Sequence, residues 1–382
     1  MSMWPLLLQP LFLLLLAWVG LRHVLARQPA VSLTAPLPAT LIIPLTGDSA
    51  LIRQGLDTLL EQSPVPARIV LAVWNEADPA HLLARELAAR HGHVRVALGC
   101  HVPAASRKNA NLLAGVAAAD PTSRAFVFCD AGHLAPPELA GLLLEPILRG
   151  QATVTSGYHR LTSAHGLANL LHETSVLFLH CLQGLPLVTQ PWGGAMAMDK
   201  GTFEMLKVTA LWRDNVVDDC SLAALLQDHG LRALMVSGAN VVTPLGRESL
   251  GQWWAWWVRQ LQYLKYCFPG TWILAGMGFV FLGLPPLVGA AMLVTGHGLA
   301  GTVYFLTLGL AALTFRRGAL RPAALGRWLA VFPLFLVLSL AACAEACRLR
   351  VITWRGVVYT VGKKGVVLNA TASKAKPDPA SR

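Results

Sequence analysis

The sequence has 382 residues, of which 54% are hydrophobic and only 13% are charged, and its mean hydropathy is +0.52. Soluble globular domains carry about 25% charged residues, so this composition excludes a purely soluble enzyme, a disordered protein and a disulfide scaffold. Most Asp and Glu residues lie between positions 36 and 250, whereas long apolar runs occupy both ends. We therefore expect a polar domain, large enough to bury its own core, held between membrane segments.

The net charge of +11 comes largely from basic residues beside the apolar runs. These residues are Arg22, Arg27, Arg316, Arg317, Arg321, Arg327, Arg348, Arg350 and Arg355. Such residues are typical of the cytoplasmic flanks of membrane helices. The sequence has no basic stripe interleaved with aromatic residues, the pattern that binds single-stranded nucleic acid. The charge therefore indicates a lipid bilayer as partner and no nucleic acid.

Residues 1–27 are predicted to form an N-terminal transmembrane signal anchor. Positions 3–21 are apolar over about one bilayer's length, and Arg22, His23 and Arg27 follow them. The start lacks the basic residues and the cleavage site of a cleaved signal peptide. We therefore expect an integral membrane protein whose polar domain, residues 36–250, lies on the cytosolic side.

The segment 269–347 is predicted to hold the C-terminal membrane helices, in apolar runs at 271–294, 297–315 and 327–347. Pro285-Pro286 interrupts the first run, which is either a straight span or a re-entrant hairpin. The loop 316–327 carries four arginines and the basic tail 348–382 carries eight basic residues, so both favour the cytosol. Either Pro333 bends the last run, or one of these two flanks lies outside.

Short β-branched runs alternate with helical patterns in the polar domain, which predicts an α/β fold with parallel strands. The predicted strands are 40–46, 68–74, 94–98 and 125–130, and the predicted helices are 48–62, 79–91 and 108–119. In such sheets ligands bind beyond the carboxyl ends of the strands, where Asp78 and Asp130 fall. The sequence contains neither a GxGxxG nor a Walker A motif, which argues against dinucleotide binding and P-loop chemistry.

Three acids are the candidate functional residues: Asp78 in NEADPA, Asp130 in FVFCDAGH and Asp219 in VVDDCSLAALL. A carboxylate at the end of a buried strand needs donors or a cation, and a hard divalent ion shared with a diphosphate would stabilise it. Each acid also has a structural alternative. Asp78 and Asp130 could cap helices, and Asp218 with Asp219 could open the helix that follows them.

In this order and spacing, the motifs resemble the D, D, D, (Q/R)xxRW pattern of family-two glycosyltransferases, and most closely the ceramide glucosyltransferase family. The resemblance covers about residues 40–268 and part of the tail. The residues that carry it are Asp78-Pro79-Ala80, Lys108 and Asn111 in SRKNANL, Cys129-Asp130-Ala131-Gly132, Asp218-Asp219-Cys220, Arg259 to Tyr263, and Ile352 to Gly356 with Tyr359.

The resemblance implies a GT-A type (Rossmann-like) catalytic domain and inverting transfer of a sugar, glucose in that family, from a UDP-sugar to a lipid hydroxyl. By the same resemblance, Asp130 would bind Mg²⁺ or Mn²⁺ at the diphosphate, and Asp219 would be the catalytic base. Donor-binding roles would fall to Asp78, Lys108, Asn111, Asp130, Arg259 and Gln262. An acceptor hydroxyl must lose its proton as it attacks, and a nearby carboxylate can take that proton.

Two departures from the family pattern concern charge. In Arg259-Gln260-Leu261-Gln262-Tyr263, Gln replaces the arginine and Tyr replaces the tryptophan of the (Q/R)xxRW motif. Gln supplies no positive charge to a phosphate, so Arg259 or Lys265 would supply it instead. Gly132 stands where many relatives carry a second metal-binding Asp.

Residues 251–268 are predicted to form an interfacial helix against the membrane. Trp253, Trp256 and Trp257 share one helical face, and tryptophan favours the bilayer interface. We expect this face, with Tyr263, Trp192 and Gly193, to receive the lipid acceptor. The alternative is a core helix with unusual aromatic residues.

Other functions remain open beside a ceramide acceptor. A hopanoid or diacylglycerol acceptor, with UDP-N-acetylglucosamine or UDP-glucuronate as donor, would keep the same chemistry. An inactive membrane scaffold is the non-enzymatic alternative, and a transporter is disfavoured because the sequence shows no internal repeats.

Overall fold

The fold is described by a computed structural model that covers residues 4–27, 30–102, 105–163 and 166–372. Positions 373–382 of the predicted basic tail lie outside the described residues. The helices are α1 (Trp4–Val24), α2 (Ala50–Leu60), α3 (Pro79–Arg90), α4 (Arg107–Ala117), α5 (Leu139–Leu148), α6 (Leu167–Gln183), α7 (Lys200–Met205), α8 (Val208–Asp214), α9 (Asp219–Asp228), α10 (Leu250–Cys267), α11 (Pro269–Val294), α12 (Gly298–Arg316) and α13 (Leu325–Arg348). The strands are β1 (Leu37–Leu45), β2 (Pro66–Val73), β3 (Val94–Leu98), β4 (Ala125–Cys129), β5 (Val154–Ser163), β6 (Ala195–Asp199), β7 (Leu234–Leu245), β8 (Val351–Trp354), β9 (Val357–Val361) and β10 (Val367–Ala372).

The chain divides into two compact units. One unit, named the membrane unit after its predicted membrane helices, comprises Met1–Ala26, Arg160–Val188 and Leu245–Ile352. The other, named the catalytic unit after the domain that the sequence predicts, comprises Arg27–His159, Thr189–Pro244 and Thr353–Arg382. The segment Arg160–Val188 lies inside the predicted polar domain 36–250 but belongs to the membrane unit. Its helix α6 is buried along most of its length and packs against α1, α10 and α13.

A seven-stranded sheet in the order β3-β2-β1-β4-β6-β5-β7 forms the centre of the catalytic unit. Strands β3, β2, β1 and β4 run parallel, whereas β6 runs antiparallel to both β4 and β5. The parallel strands are almost wholly buried, as expected where helices cover both faces of a sheet. The predicted α/β class is confirmed, and the carboxyl ends of β1, β2 and β4 meet at one edge.

Among the described residues, four helices are long and apolar enough to span a membrane: Pro5–Val24, Pro269–Val294, Gly298–Arg316 and Leu325–Arg348. Helix α11 is continuous through Pro285 and Pro286, so this run is one helix and not a hairpin, and α13 is likewise continuous through Pro333. Inside the membrane unit, the amide of Gln9 donates to the carbonyl of Leu282 at 3.1 Å and accepts from the hydroxyl of Tyr304 at 3.2 Å. Such polar contacts hold apolar helices together where water is absent.

The tryptophans of α10 correct one prediction. Trp253 and Trp257 are 1% and 0% exposed, and their indole N–H groups donate to the hydroxyls of Ser175 and Ser339, each at 3.1 Å. A buried indole needs such a partner, and with it the whole ring can enter the core. The prediction that these two rings face the bilayer is therefore wrong, and the core-helix alternative describes them. Trp256 is partly buried, with its ring 4.0 Å from that of His172.

The C-terminal half of α10 contradicts a second expectation. Gln262 is 3% exposed, and its amide donates to the carbonyl of Val351 at 2.8 Å. The side chain therefore fixes the segment after α13 and is not accessible to a UDP-sugar. The ammonium of Lys265 donates to the carbonyls of Ala346, Cys347 and Leu349, where it caps the carboxyl end of α13. Lys265 therefore does not replace the missing arginine. The predicted roles of the half-buried residues Arg259 and Tyr263 stay predictions.

Candidate active site

Three acids lie at the carboxyl edge of the parallel strands. Asp78 follows β2 and begins α3, Asp130 follows β4 directly, and Asp219 begins α9. The edge of the sheet thus collects carboxylates that are far apart in sequence, as expected for a ligand site of an α/β fold.

Lys108, in the first turn of α4, joins the carboxylate of Asp130 to that of Asp218. Its ammonium lies 3.1 and 3.2 Å from the two carboxylate oxygens of Asp130 and 3.2 Å from Oδ2 of Asp218. Burial opposes the charge on Lys108, but the negative charges of Asp130, Asp218 and Asp219 outweigh it and raise the pKa of the ammonium. Lys108 is therefore a permanent cation at the centre of an acidic cluster.

Asp218 is the member of this cluster that sequence reasoning missed. Its side chain is 3% exposed, against 35% for Asp130, and burial raises its pKa although Lys108 opposes the shift. Gly193 leaves room for it, because a Cβ atom there would collide with Oδ2 of Asp218. The signal in the sequence is the motif Asp218-Asp219-Cys220, in which a functional role was predicted for Asp219 alone.

Asp219 is the best-oriented carboxylate of the site. Its Oδ2 accepts a hydrogen bond from the backbone N–H of Gly193 at 3.0 Å, and its Oδ1 accepts one from the N–H of Cys220 at 2.6 Å. Each carboxylate oxygen can accept two hydrogen bonds, so both retain capacity for a further proton or donor. Because the residue is only half-buried, a ligand in the site can reach its carboxylate.

Asp78 caps α3, as the structural alternative expected. Its Oδ1 accepts from the N–H of Ala80 at 3.0 Å, and it also accepts from the N–H of Gly47 at 2.7 Å. Gly47 has a φ of +73°, which favours glycine, so Asp78 holds a tight turn after β1. Binding of a uridine by Asp78 stays a prediction.

Asn111 lies behind the site instead of in it. The residue is 1% exposed, its amide N–H donates to the carbonyl of Leu45 at 3.2 Å, and its side chain packs directly on Gly99. Asn111 is buried and supports the end of β1, which corrects the prediction that it contacts the UDP-sugar. The family-like motif that contains it contributes Lys108 to the cluster and Asn111 to the scaffold.

A group of aromatic and histidine side chains also lies in the catalytic unit. The ring of Trp192 stacks on that of His159 with centroids 4.5 Å apart, and lies 5.1 and 5.2 Å from the rings of His133 and Tyr158. The backbone N–H of Trp192 donates to the hydroxyl of Ser156 at 3.0 Å, which fixes the loop before Gly193. Sequence reasoning identified Trp192 and Gly193 but had no signal for His159, which lies on a strand distant in sequence.

The fit to a divalent metal ion depends on Asp130. Its side chain is 35% exposed, against 3% for Asp218, and no group of three His, Cys, Asp or Glu with metal-binding geometry occurs within the residues that the structure describes. Mg²⁺ typically binds one or two carboxylates and completes its shell with water and phosphate oxygens. The donor set fits an ion held by Asp130 together with a diphosphate, and not a closed protein site.

Comparisons with known proteins find one family model and several solved structures that are similar to this chain. The model of the family described as Glycosyl transferase family 21 matches residues 3–367. The chain is similar to mannosyltransferase PcManGT from Pyrobaculum calidifontis, solved with GDP-Man and Mn²⁺, at 18% identity and a TM-score of 0.47 over 90% of this chain and 98% of that one. It is also similar to glucosyl-3-phosphoglycerate synthase from Mycobacterium tuberculosis, solved with Mn²⁺ and UDP-glucose, at 18% identity and a TM-score of 0.38 over 60% and 79%. A search of curated proteins finds no match.

Proposed function

Because this chain belongs to glycosyltransferase family 21, we propose that it is a membrane-bound inverting enzyme that moves a sugar, glucose in the first instance, from a UDP-sugar to the hydroxyl of a lipid such as ceramide. The family membership confirms the resemblance to ceramide glucosyltransferases and the predicted GT-A type fold. The donor, the acceptor and the residue roles are parts of the proposal.

The observation that carries the proposal is the orientation of Asp219 beside the Lys108 cluster. Two backbone N–H groups hold its carboxylate, and the cluster also contains Asp130, whose side chain is 35% exposed. One carboxylate acts as base and a second stands at the leaving group, which is the arrangement that inversion needs. No covalent intermediate on the enzyme is required.

The proposed reaction is a single displacement. The acceptor oxygen forms a bond to the anomeric carbon while the bond from that carbon to the UDP oxygen breaks, and Asp219 takes the hydroxyl proton. A divalent cation held at Asp130 would supply charge stabilisation for the departing diphosphate. Lys108 keeps Asp130 and Asp218 in place and lowers the cost of gathering acids in one cleft.

The lipid acceptor is supported by the composition of the chain. Four described helices are long and apolar enough to span a bilayer. A soluble acceptor would give no reason to attach a catalytic unit to so much membrane structure. We propose that the catalytic unit faces the cytosol, where UDP-sugars are available.

The test is turnover by the purified full-length protein in detergent with Mg²⁺ or Mn²⁺, UDP-glucose and C6-ceramide, read as UDP release. UDP release that depends on ceramide is the expected result. Turnover only with a hopanoid or diacylglycerol, or only with UDP-N-acetylglucosamine or UDP-glucuronate, would change the proposed substrate and leave the proposed mechanism standing. A protein that binds UDP-sugars but turns over none of these acceptors would support the inactive scaffold instead.

Asp130→Asn provides a second test, because it removes the charge that the cation needs. We expect UDP release to be lost and the dependence of UDP binding on Mn²⁺ to be lost with it. A variant that retains wild-type Mn²⁺ dependence of UDP binding would remove Asp130 from the metal-binding role. The matched control is Asp57→Asn, because Asp57 is exposed on α2. Asp199→Asn is unsuitable, because Asp199 caps α7.

A further inference from the structure

Two histidines of the catalytic unit share one threonine hydroxyl. Oγ1 of Thr243 lies 2.8 Å from Nδ1 of His133 and 2.8 Å from Nδ1 of His159. These residues come from the loop after β4, from β7 and from β5, so the sheet brings them together from distant parts of the sequence. His159 is 9% exposed, whereas His133 is only half-buried.

The single proton of a threonine hydroxyl fixes the protonation pattern of this chain of contacts. The hydroxyl can donate to one Nδ1 and must then accept from the other. With both rings neutral, the two histidines therefore have opposite tautomers. Burial lowers the pKa of His133 to about 4, which keeps that ring neutral at pH 7. Its Nε2 is then either a donor or an acceptor, in a state that Thr243 and His159 determine.

The surroundings of the His133–Thr243–His159 contacts indicate what these residues could bind. His133 is three residues after Asp130 and experiences the charges of both Asp130 and Lys108. On the other side, Tyr158 experiences the charge of Asp219, and Trp192 precedes the glycine whose N–H holds Asp219. In a displacement at an anomeric carbon, the group between the leaving diphosphate and the base is the transferred sugar.

The chemistry of these side chains matches a neutral sugar. A sugar presents hydroxyls, which both donate and accept, and apolar C–H faces, which pack on aromatic rings. A neutral imidazole pairs with a hydroxyl in either tautomer. The one ammonium of the cluster, Lys108, is already shared by carboxylates, so a sugar carboxylate would meet negative charge at Asp130 and Asp219.

We propose that His133 binds a hydroxyl of the transferred sugar, that Thr243 and His159 are positioning residues which set its tautomer, and that Trp192 forms the apolar wall of the same subsite. This inference rests on the proposed function, since it assigns the sugar subsite of that reaction. It also selects uncharged hexoses over uronates as the transferred group.

The test replaces the shared hydroxyl without changing the shape of the side chain. Thr243→Val deletes it, Thr243→Ser retains it, and Thr360→Val is the matched control on an exposed position of β9. Binding of UDP and of UDP-glucose, UDP-N-acetylglucosamine and UDP-glucuronate is measured on the full-length protein in detergent. An unpaired buried polar group weakens binding roughly tenfold.

For Thr243→Val we expect the affinity for the preferred neutral UDP-sugar to fall roughly tenfold and the affinity for UDP to change less than about twofold. Thr243→Ser should restore sugar binding, and Thr360→Val should match the wild type. Unchanged sugar binding in Thr243→Val, equal losses for UDP and UDP-sugar, or a wild-type preference for UDP-glucuronate would overturn the subsite and leave the proposed function standing. A wild type that binds neither UDP nor any UDP-sugar would remove the proposed function and the subsite together.

Discussion

The ammonium of Lys108 lies 3.2 Å from Oδ2 of Asp218, a buried carboxylate that directly precedes the proposed base Asp219. This contact ties the start of α9 to α4, two helices that are far apart in sequence. The same ammonium contacts Asp130 at the end of β4. One lysine therefore sets the spacing between the acid proposed for the leaving group and the acid proposed for the acceptor.

Removal of the Lys108 charge should destabilise the fold as well as the site. In Lys108→Met, the buried carboxylate of Asp218 loses its cation, and breaking a buried pair in this way costs about 3–5 kcal/mol. We expect a clearly lower midpoint of thermal unfolding in detergent. The double variant Lys108→Met/Asp218→Asn should recover part of the loss, because the buried charge of Asp218 is removed together with its cation. A double variant less stable than Lys108→Met would show that the ion pair is not the cause.

Asp219→Asn should abolish turnover and leave the fold intact. The amide keeps the size of the side chain but cannot take a proton, so kcat should fall by about 10²–10⁴-fold. Steady-state UDP release and the thermal midpoint are the two measurements, and the exposed variant Asp57→Asn is the control. Near-normal turnover in Asp219→Asn would mean that another group is the base.

Gly193→Ala should damage the site, because the added methyl group collides with Oδ2 of Asp218. The collision must displace either Asp218 or the N–H that holds Asp219, so we expect at least a tenfold loss of kcat. Gly92→Ala is the matched control, since a Cβ atom there meets nothing within 4 Å. Equal activity of the two variants would contradict the packing of Gly193 against Asp218.

Glu173 should make stability depend on pH. It is 5% exposed, its Oε2 has no hydrogen-bond partner among the described residues, and burial raises its pKa to about 7 although Arg160 opposes the shift. The folded state therefore favours the protonated acid. The contribution of protonated Glu173 to the free energy of unfolding is fully present below the unfolded pKa of about 4.5, and it is lost as the pH rises through about 7.

Glu173→Gln mimics the protonated acid, so it should be as stable as the wild type near pH 4 and more stable at pH 8. Thermal midpoints at the two pH values measure this difference, and exposed Glu204→Gln controls for the change of charge. A wild type whose advantage over Glu173→Gln grows towards pH 8 would have the opposite sign and contradict the raised pKa.

The tail should lie on the same side of the bilayer as the catalytic sheet. Within the catalytic unit, Asn215 pairs with Val366, and Lys364 contacts Asp228 at 2.6 Å. Three complete crossings by α11, α12 and α13 would place the tail on the opposite side, so this prediction requires that at least one of these helices does not cross. The measurement is labelling in sealed vesicles by a membrane-impermeant maleimide, in a Cys347→Ser background.

In that experiment, exposed Cys100 and a cysteine introduced at the exposed position Thr371 should react from the same side. Reaction of the two from opposite sides would establish an odd number of crossings. It would also contradict the pairing of the tail with the catalytic unit.

Local patterns predicted the parallel half of the sheet well. The strand predicted at 94–98 is β3 as observed, and those predicted at 40–46 and 68–74 fall on β1 and β2 within a few residues. These strands are short β-branched runs bounded by helix caps such as Asp78, which local chemistry indicates directly. The antiparallel partners β5 and β6 were not predicted, because their pairing depends on contacts distant in sequence.

The site residues also divide into those that local patterns predict and those whose positions depend on contacts distant in sequence. Asp130 and Asp219 were predicted from motif and position, and in the structure Lys108 contacts Asp130 and also Asp218, the residue next to Asp219. The roles given to Gln262 and Trp257 were wrong because burial and hydrogen bonding inside the membrane unit decide them. A one-dimensional pattern carries residue type and spacing, but not which side of a helix the core will cover.

The Lys108 cluster also has a consequence for the order in which ligands arrive. With Asp130, Asp218 and Asp219 ionised, one ammonium leaves two negative charges uncompensated in the cleft. The diphosphate of a UDP-sugar carries two further negative charges, so the nucleotide is repelled unless a divalent cation neutralises those two charges. The cation and the nucleotide should therefore enter as one complex, whereas an uncharged lipid hydroxyl can arrive before or after them without an electrostatic penalty.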